Sequence, residues 1–393
     1  MPGALEGIRV IDLTQMLAGP LSTMNLADHG ADVIKVESPK GEELRNVAPL
    51  IEGESGAFMM WNRNKRGITL DLKNADDKAF LLKLLASADV LVESFRPGVM
   101  TRLGLGWEQL KEQFPKLIMA SVSGYGQTGP MAQRGGFDVM AQGMSGLMSI
   151  SGARDGPPHR LPIPICDLTA GLYLTIGILA ALQARHNTGR GQYVETSLLE
   201  AATAIQVYEA AHYFTHGTNP ARMGQAHRGV APYQVFPSAD GYVTIGAGQQ
   251  HFFEAFCRLA ELPELLTDAR FTKVSDRVDH NDELVELLSL RTRRHGTDWW
   301  INELEQLGIP CGPVFNHEQI FNHPQILQRR MVETGQHPKA GTIKTLGVPV
   351  KLSDTPGSVR FAAPMLGQHD GEIRQEIEAD ISRTRQETVP KST

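Results

Sequence analysis

Cysteine is scarce in this sequence. The 393 residues include three, Cys166, Cys257 and Cys311, and these lie far apart. Three widely separated cysteines form neither a disulfide framework nor a zinc site. We therefore predict no metal site and expect a reducing compartment.

Strongly basic segments, a signal peptide and a long apolar run are also missing. The net charge is −6, so nothing indicates a nucleic-acid groove or an affinity for anionic membrane surfaces. The start of the chain lacks a basic region followed by an apolar one. The longest apolar run, 168–182, is shorter than the roughly 20 residues that a membrane span needs. We expect a soluble cytoplasmic enzyme without nucleic-acid or membrane partners.

The first 37 residues predict a strand, a helix and a second strand. Residues 8–14 form a run rich in β-branched residues that is typical of a buried parallel strand, 21–29 has a helical pattern, and 32–37 is a second predicted strand. The first turn has no GxGxxG motif, which argues against an NAD site. The sequence therefore predicts an α/β fold with a large doubly wound, Rossmann-like domain.

The length predicts more than one domain. We assign 1–200 to the first part of the large α/β domain and 231–315 to a smaller α+β domain. Linkers are predicted at 201–230 and 316–350, and 351–393 is predicted to return to the large domain.

One acidic residue, Asp167, stands at the head of the apolar run. Near the N-cap of a helix, an aspartate accepts hydrogen bonds from free N–H groups, and the helix dipole favours its ionised form. The small residues 169–171 would leave room for a substrate, and an ionised carboxylate also serves as a nucleophile. The local pattern leaves a structural cap and a nucleophile both open.

Cationic and aromatic side chains follow the predicted strands. Residues 62–67 form a basic patch that Lys73 extends, and it is either a solvated loop or a phosphate-binding rim. Phe95, Arg96 and Arg102 follow a predicted strand at 89–93. Ligands bind at the carboxyl ends of such strands, where these side chains would stack on a base and pair with phosphate.

Nine motifs occur together in one order, which makes their joint signal specific. The sequence resembles the class III CoA-transferase family (CaiB/BaiF type), which includes formyl-CoA transferase, and α-methylacyl-CoA racemase belongs to the same superfamily. The motifs are IRVIDLTQMLAGP at 8–20, ADVIKVE at 31–37, NRNKRGITLDLK at 62–73, ADVLVESFRPGVMTRLGLG at 88–106, SGYGQTGP at 123–130, CDLTAG at 166–171, TGRGQ at 188–192, APYQVF at 231–236 and IPCGPV at 309–314.

The resemblance implies a catalytic role for Asp167, which matches the family's nucleophile. It implies an acyl anhydride and then a CoA thioester on that side chain, with CoA and acyl-CoA as substrates and no permanently bound cofactor. It also implies an intertwined homodimer. The CoA contacts that it implies are Leu17, Ala18, Leu70, Lys73, Ser94, Phe95, Arg96, Arg102, Gly135, Phe137 and Asp138.

Departures from the formyl-CoA members bear on the substrate. Leu17 replaces a glutamine, Phe137 replaces a tyrosine, and the long glycine-rich flap is absent. We therefore expect a small dicarboxylate rather than formate or oxalate, as in the succinyl-CoA-dependent members. Arg222, His227 or Arg228 would bind its distal carboxylate, or else belong to an exposed linker.

Two other functions compete with transfer. A 2-methylacyl-CoA racemase needs an acid/base pair, and the racemases' histidine is replaced by Phe137, which carries no proton. A non-catalytic CoA-binding protein would have no need of the nucleophile that Asp167 keeps.

Overall fold

The structure is a computed structural model that describes residues 2–388. The strands, in chain order, are β1 Arg9–Leu13, β2 Asp32–Glu37, β3 Leu50–Ile51, β4 Glu54–Ser55, β5 Lys65–Thr69, β6 Val90–Glu93, β7 Ile118–Ser123, β8 Tyr193–Ser197, β9 Tyr233–Pro237, β10 Tyr242–Gly246, β11 Cys311–Pro313, β12 Val332–His337 and β13 Gly341–Leu346.

The helices alternate with these strands. They are α1 Ala18–Asp28, α2 Gly56–Trp61, α3 Ala75–Ala86, α4 Val99–Arg102, α5 Trp107–Gln113, α6 Asp138–Met144, α7 Leu147–Ile150, α8 Ile165–Thr188, α9 Leu198–Ala204, α10 Val207–His216, α11 Gln250–Leu259, α12 Val274–Asp279, α13 Asn281–Thr292, α14 Thr297–Gln306, α15 His317–Phe321, α16 Pro324–Gln328 and α17 Asp370–Thr388.

Contacts divide the chain into two compact units. The first takes in the chain up to Leu147, then Leu161–Ala210 and the chain from Pro324 onward; the second comprises Met148–Arg160 and Ala211–His323. The domain boundaries given from the sequence stay a prediction.

A parallel sheet of six strands, in the order β5-β2-β1-β6-β7-β8, forms the centre of the first unit. Alternate strand residues face opposite sides because successive side chains of a strand point in opposite directions. Val10 and Val90 pack in one buried cluster with α1 and α8, whereas Ile11 and Leu91 pack in another with α3 and α17. The predicted α/β class, with helices on both faces of a parallel sheet, is confirmed.

The second unit has its own core. An antiparallel sheet in the order β11-β10-β9 packs against its helices, and Phe236, Phe256 and Trp300 are buried between them. Phe256 lies edge-on to both of the other rings, an arrangement that aromatic pairs favour.

Helix α8 is longer than the sequence indicated. It has 24 residues and ends at Gly189, whose φ of 70° is the left-handed conformation that glycine adopts at helix ends. The predicted bounds of 168–182, and the argument from length against a membrane span, are therefore wrong. Within residues 2–388, α8 is the one helix whose length and apolar composition are sufficient to cross a bilayer. The core helix of a globular protein meets the same two criteria.

Close packing holds α1 against α8. A Cβ atom on Gly171 would lie 2.6 Å from the carbonyl oxygen of Ala18, so this position admits no side chain. Thr175 Oγ1 lies 3.2 Å from Ser22 Oγ one turn further along. The small residue at 171, which the sequence suggested would leave room for a substrate, is needed for this helix contact.

Candidate active site

Buried charges fix the loop that follows β1. Asp12, Lys35 and Lys65 are fully buried, and Lys65 Nζ lies 2.9 Å from Asp12 Oδ2. Burial alone would raise the pKa of Asp12, but the two lysines hold it well below its usual range. Thr14 N donates to Asp12 Oδ1 at 2.8 Å, and Lys35 Nζ donates to Thr14 O at 2.9 Å. These bonds hold the backbone where it leaves the sheet.

The next residues of this loop adopt a strained conformation. Met16 has a φ of 66°, in the left-handed region that a side chain disfavours, and such strain is concentrated at functional sites. Its N–H donates to Glu42 Oε2 at 2.7 Å, and Glu42 is paired with Lys35. Leu17 follows at the N-cap position of α1, and the side chain of Ala18 is buried.

The strand order reverses between β1 and β6. In sheets of this kind the crevice at such a reversal, at the carboxyl ends of the strands, is where ligands bind. Gln15 N donates to Ser94 Oγ at 2.9 Å, which joins the loop after β1 to the loop after β6. The predicted contacts Leu17 and Ser94 therefore lie on two adjoining loops at this reversal.

Two arginines follow β6. Arg96 on the loop and Arg102 at the end of α4 are both exposed, and Phe95, which precedes Arg96, is half-buried against the core. A Cβ atom on Gly135 would lie 3.1 Å from Nη2 of Arg96, so the loop after β7 meets the loop after β6 at this glycine. Positive charge and a ring face are thus available together at one edge of the sheet.

Other predicted contacts have different surroundings. Lys73 is exposed beyond β5, whereas the side chain of Leu70 is buried in the core, which leaves only its backbone for a ligand. Phe137 is 62% exposed. The assignment of these residues to CoA stays a prediction.

Asp167 lies inside the first turn of α8. The helix begins at Ile165 after an N-cap at Pro164, so Asp167 is the third helical residue, and no side chain of the cap residue bonds to the helix. Asp138 accepts hydrogen bonds from the backbone at this helix end: its Oδ1 accepts from Cys166 N at 2.8 Å and from Asp167 N at 3.3 Å. The interpretation of Asp167 as the helix cap is wrong.

The environment of Asp167 disfavours its charge. Burial first, and then the negative charge of Asp138, raise its pKa to about 7. The sequence-based expectation of a carboxylate held ionised by the helix dipole is therefore also wrong. At neutral pH this carboxyl group exchanges between its two protonation states, which is typical of residues at functional sites.

Glu93 is a residue that sequence reasoning missed. It is buried at the end of β6, beside a cavity of about 310 Å³ that Gln127 and Tyr193 also line. Burial raises its pKa to about 7, although it accepts hydrogen bonds from Ser121 Oγ and Phe95 N. A charged residue at the end of an otherwise apolar strand was the available signal.

The three candidates for binding a distal carboxylate do not share one cavity. Arg222 and Arg228 line a cavity of about 450 Å³ in the second unit, whereas His227 lines another, of about 580 Å³, with Tyr233 and Cys311. Arg222 donates to the carbonyl oxygens of Gly156, Ala153 and Ser149, at 2.7 to 3.3 Å. The two arginines and the histidine are thus separate hypotheses.

Known proteins resemble this chain over nearly its whole length. The model of "CoA-transferase family III" matches residues 5–370. Succinyl-CoA:glutarate CoA-transferase of Mus musculus is 40% identical over 95% of this chain and 86% of its own. Acetyl-CoA:oxalate CoA-transferase of Acetobacter aceti is 38% identical over 96% of both. A crystal structure of a CaiB/BaiF family protein from Brucella suis has a TM-score of 0.87 at 36% identity, covering 96% of this chain and 100% of that one.

Proposed function

Because this chain belongs to CoA-transferase family III and is an enzyme of that type, we propose that it transfers CoA to a small dicarboxylate through a covalent intermediate on Asp167. One observation supports the covalent step most directly. Asp167 is a half-buried carboxylate on the first turn of α8, one turn before Gly171, where that helix meets the start of α1.

The reaction exchanges acyl groups without proton transfer. The Asp167 carboxylate attacks the thioester carbonyl, and the C–S bond breaks to give a mixed anhydride and CoA thiolate. The thiolate attacks the aspartyl carbonyl, which releases the donor acid and leaves an aspartyl-CoA thioester. The acceptor carboxylate attacks that thioester to form a second anhydride, and the thiolate then takes its acyl group and frees Asp167. The nucleophile must be ionised, and water must be kept from the anhydride.

The relatives support dicarboxylates as substrates. The two curated relatives named above act on glutarate and oxalate, which are both dicarboxylates. A racemase gains no support, since Phe137 carries no proton and precedes an aspartate that is hydrogen-bonded to α8. We expect oxalate to be a poorer acceptor than glutarate, because Leu17 and Phe137 replace the polar residues of the oxalate-using members.

A second copy of the chain is the proposed partner. Leu172, Ile176 and Leu179 of α8 are 51%, 59% and 41% exposed, and their spacing puts them on one side of the helix. Ile176→Arg should convert a dimer to a monomer in light scattering after gel filtration. If the wild type were monomeric, or if it bound neutral lipid vesicles through this helix, the dimer proposal would fail.

The experiment for the covalent step uses one substrate at a time. The protein is incubated with succinyl-CoA or glutaryl-CoA alone, treated with hydroxylamine, and digested for peptide mass spectrometry. We expect a hydroxamate on Asp167 with both donors. Asp167→Asn, checked by intact mass for deamidation, should bind CoA but carry no label and lose transfer by several orders of magnitude. A label on another residue would contradict the assignment.

A further inference from the structure

Asp138 caps the helix that carries Asp167. A helix leaves its first N–H groups without partners inside the helix, and α8 has no capping side chain of its own. Oδ1 of Asp138, at the start of α6, accepts from the backbone N–H of Cys166 at 2.8 Å and of Asp167 at 3.3 Å. A carboxylate 29 positions earlier in the chain thus bonds to the backbone of the proposed nucleophile itself.

The other oxygen of Asp138 is also engaged. Its Oδ2 accepts from Nε2 of Gln142 at 2.6 Å, and Gln142 is fully buried. Oε1 of Gln142 in turn accepts from Leu161 N at 2.8 Å. Asp138 and Gln142 therefore connect α6 both to Leu161, ahead of α8, and to the first turn of α8. Both oxygens of Asp138 accept hydrogen bonds from within the protein.

We propose that Asp138 is a positioning residue for acyl transfer, which fixes the first turn of α8 and thereby the direction of the Asp167 carboxylate, and that it is not a CoA contact. The proposal for Asp138 rests on the proposed function, because it takes Asp167 to be the nucleophile. It replaces the expectation from family resemblance that Asp138 contacts CoA.

The charge of Asp138 has a second effect on the nucleophile. Together with burial it raises the pKa of Asp167, and a more basic carboxylate is the stronger nucleophile once ionised. The other titratable group on this turn is the Cys166 thiol, whose pKa burial and the two aspartates raise to about 12, so it stays neutral. Asp138 is thus the charged group whose removal should alter the ionisation of Asp167.

Two substitutions separate the cap from the charge. Asp138→Asn keeps an oxygen that can accept from α8 but removes the charge and the acceptor for Nε2 of Gln142; Asp138→Ala removes the charge and both acceptors. Adduct formation on Asp167 is followed against pH in a single turnover of the full-length protein with saturating succinyl-CoA. Backbone hydrogen exchange of peptides covering 161–168 is measured without substrate.

We expect the two variants to differ. With Asp138→Asn, the acid limb of the rate profile should move down by about one pH unit, and backbone exchange at Cys166 and Asp167 should change less than in Asp138→Ala, because an oxygen still accepts from α8. With Asp138→Ala, exchange at Cys166 and Asp167 should accelerate and the plateau rate should fall by about tenfold or more. The KM for acyl-CoA should stay within about twofold for both, because neither substitution removes a ligand contact.

A matched control removes another helix cap. Asn316 Oδ1 accepts from Gln319 N at 2.9 Å at the start of α15, and Asn316→Ala should leave the pH profile of the reaction unchanged. A raised KM for every acyl-CoA with an unmoved acid limb would show that Asp138 contacts CoA and would overturn the proposal. Unchanged exchange in Asp138→Ala would overturn it too.

Failure of the covalent mechanism can be distinguished from failure of the Asp138 proposal. If the wild type forms no adduct on Asp167, the covalent mechanism fails. The exchange measurement and a carbon-13 titration of the Asp167 carboxyl without CoA still test whether Asp138 caps the helix and raises that pKa.

Discussion

The raised pKa of Asp167 predicts that its replacement stabilises the protein. In the folded chain the pKa is about 7, against 3.8 for an aspartate in an unfolded chain. The folded state therefore holds a proton that the unfolded state has lost between these two values. Stability linked to this group is fully present below about pH 4 and is lost as the pH rises through 7.

The magnitude follows from the size of the shift. Each pKa unit corresponds to 1.36 kcal/mol, so a shift of about 3 units costs about 4 kcal/mol of unfolding free energy at pH 8. Asp167→Asn has the shape of the protonated wild-type residue and carries no charge. We expect the variant to gain up to about 4 kcal/mol over the wild type at pH 8 and almost nothing at pH 4.

The assay is urea unfolding of both proteins at pH 4, 6 and 8. The difference between them should grow with pH, because only the wild type loses the stability linked to Asp167, whereas the loss linked to Glu93 occurs in both proteins and cancels. Asp354→Asn, at an exposed position of the first unit, controls for the general effect of removing one negative charge and should give no such growth. A constant difference across the three pH values would refute the reasoning, because it would mean that folding leaves the ionisation of Asp167 unchanged.

Four further outcomes are expected. Adduct formation by the wild type should fall about tenfold per pH unit below 7, and a rate independent of pH down to 5 would contradict the raised pKa of Asp167. Arg102→Ala should raise the KM alike for every acyl-CoA, by the equivalent of about 1.5–3 kcal/mol, whereas an effect on the acid substrate alone would place it elsewhere. Lys65→Met should destabilise the chain by about 3–5 kcal/mol in thermal unfolding, because it removes the ion-pair partner of the buried Asp12 carboxylate. Arg222→Gln should weaken glutarate more than a monocarboxylate of equal length, and equal losses would remove this arginine from the acid site.

Runs rich in β-branched and other apolar residues made the central sheet predictable. The runs around β1, β2, β6 and β7 are typical of strands covered on both faces, so their positions follow from local composition. Because ligands bind at the carboxyl ends of parallel strands, the sequence also predicted that Phe95, Arg96 and Arg102 would stand at that edge of the sheet.

The properties of Asp167 depended on the tertiary structure. Local pattern indicated an ionised helix cap, but burial and a carboxylate from α6 raise its pKa instead. No spacing rule relates two residues 29 positions apart on different helices. The same applies to Gly171, whose missing side chain serves the contact between α1 and α8. Sequence by itself determined which segments form the strands of the central sheet and which residues follow them; only packing decided which of these residues meet and how strongly each holds its proton, because desolvation and charge interactions depend on distances in space.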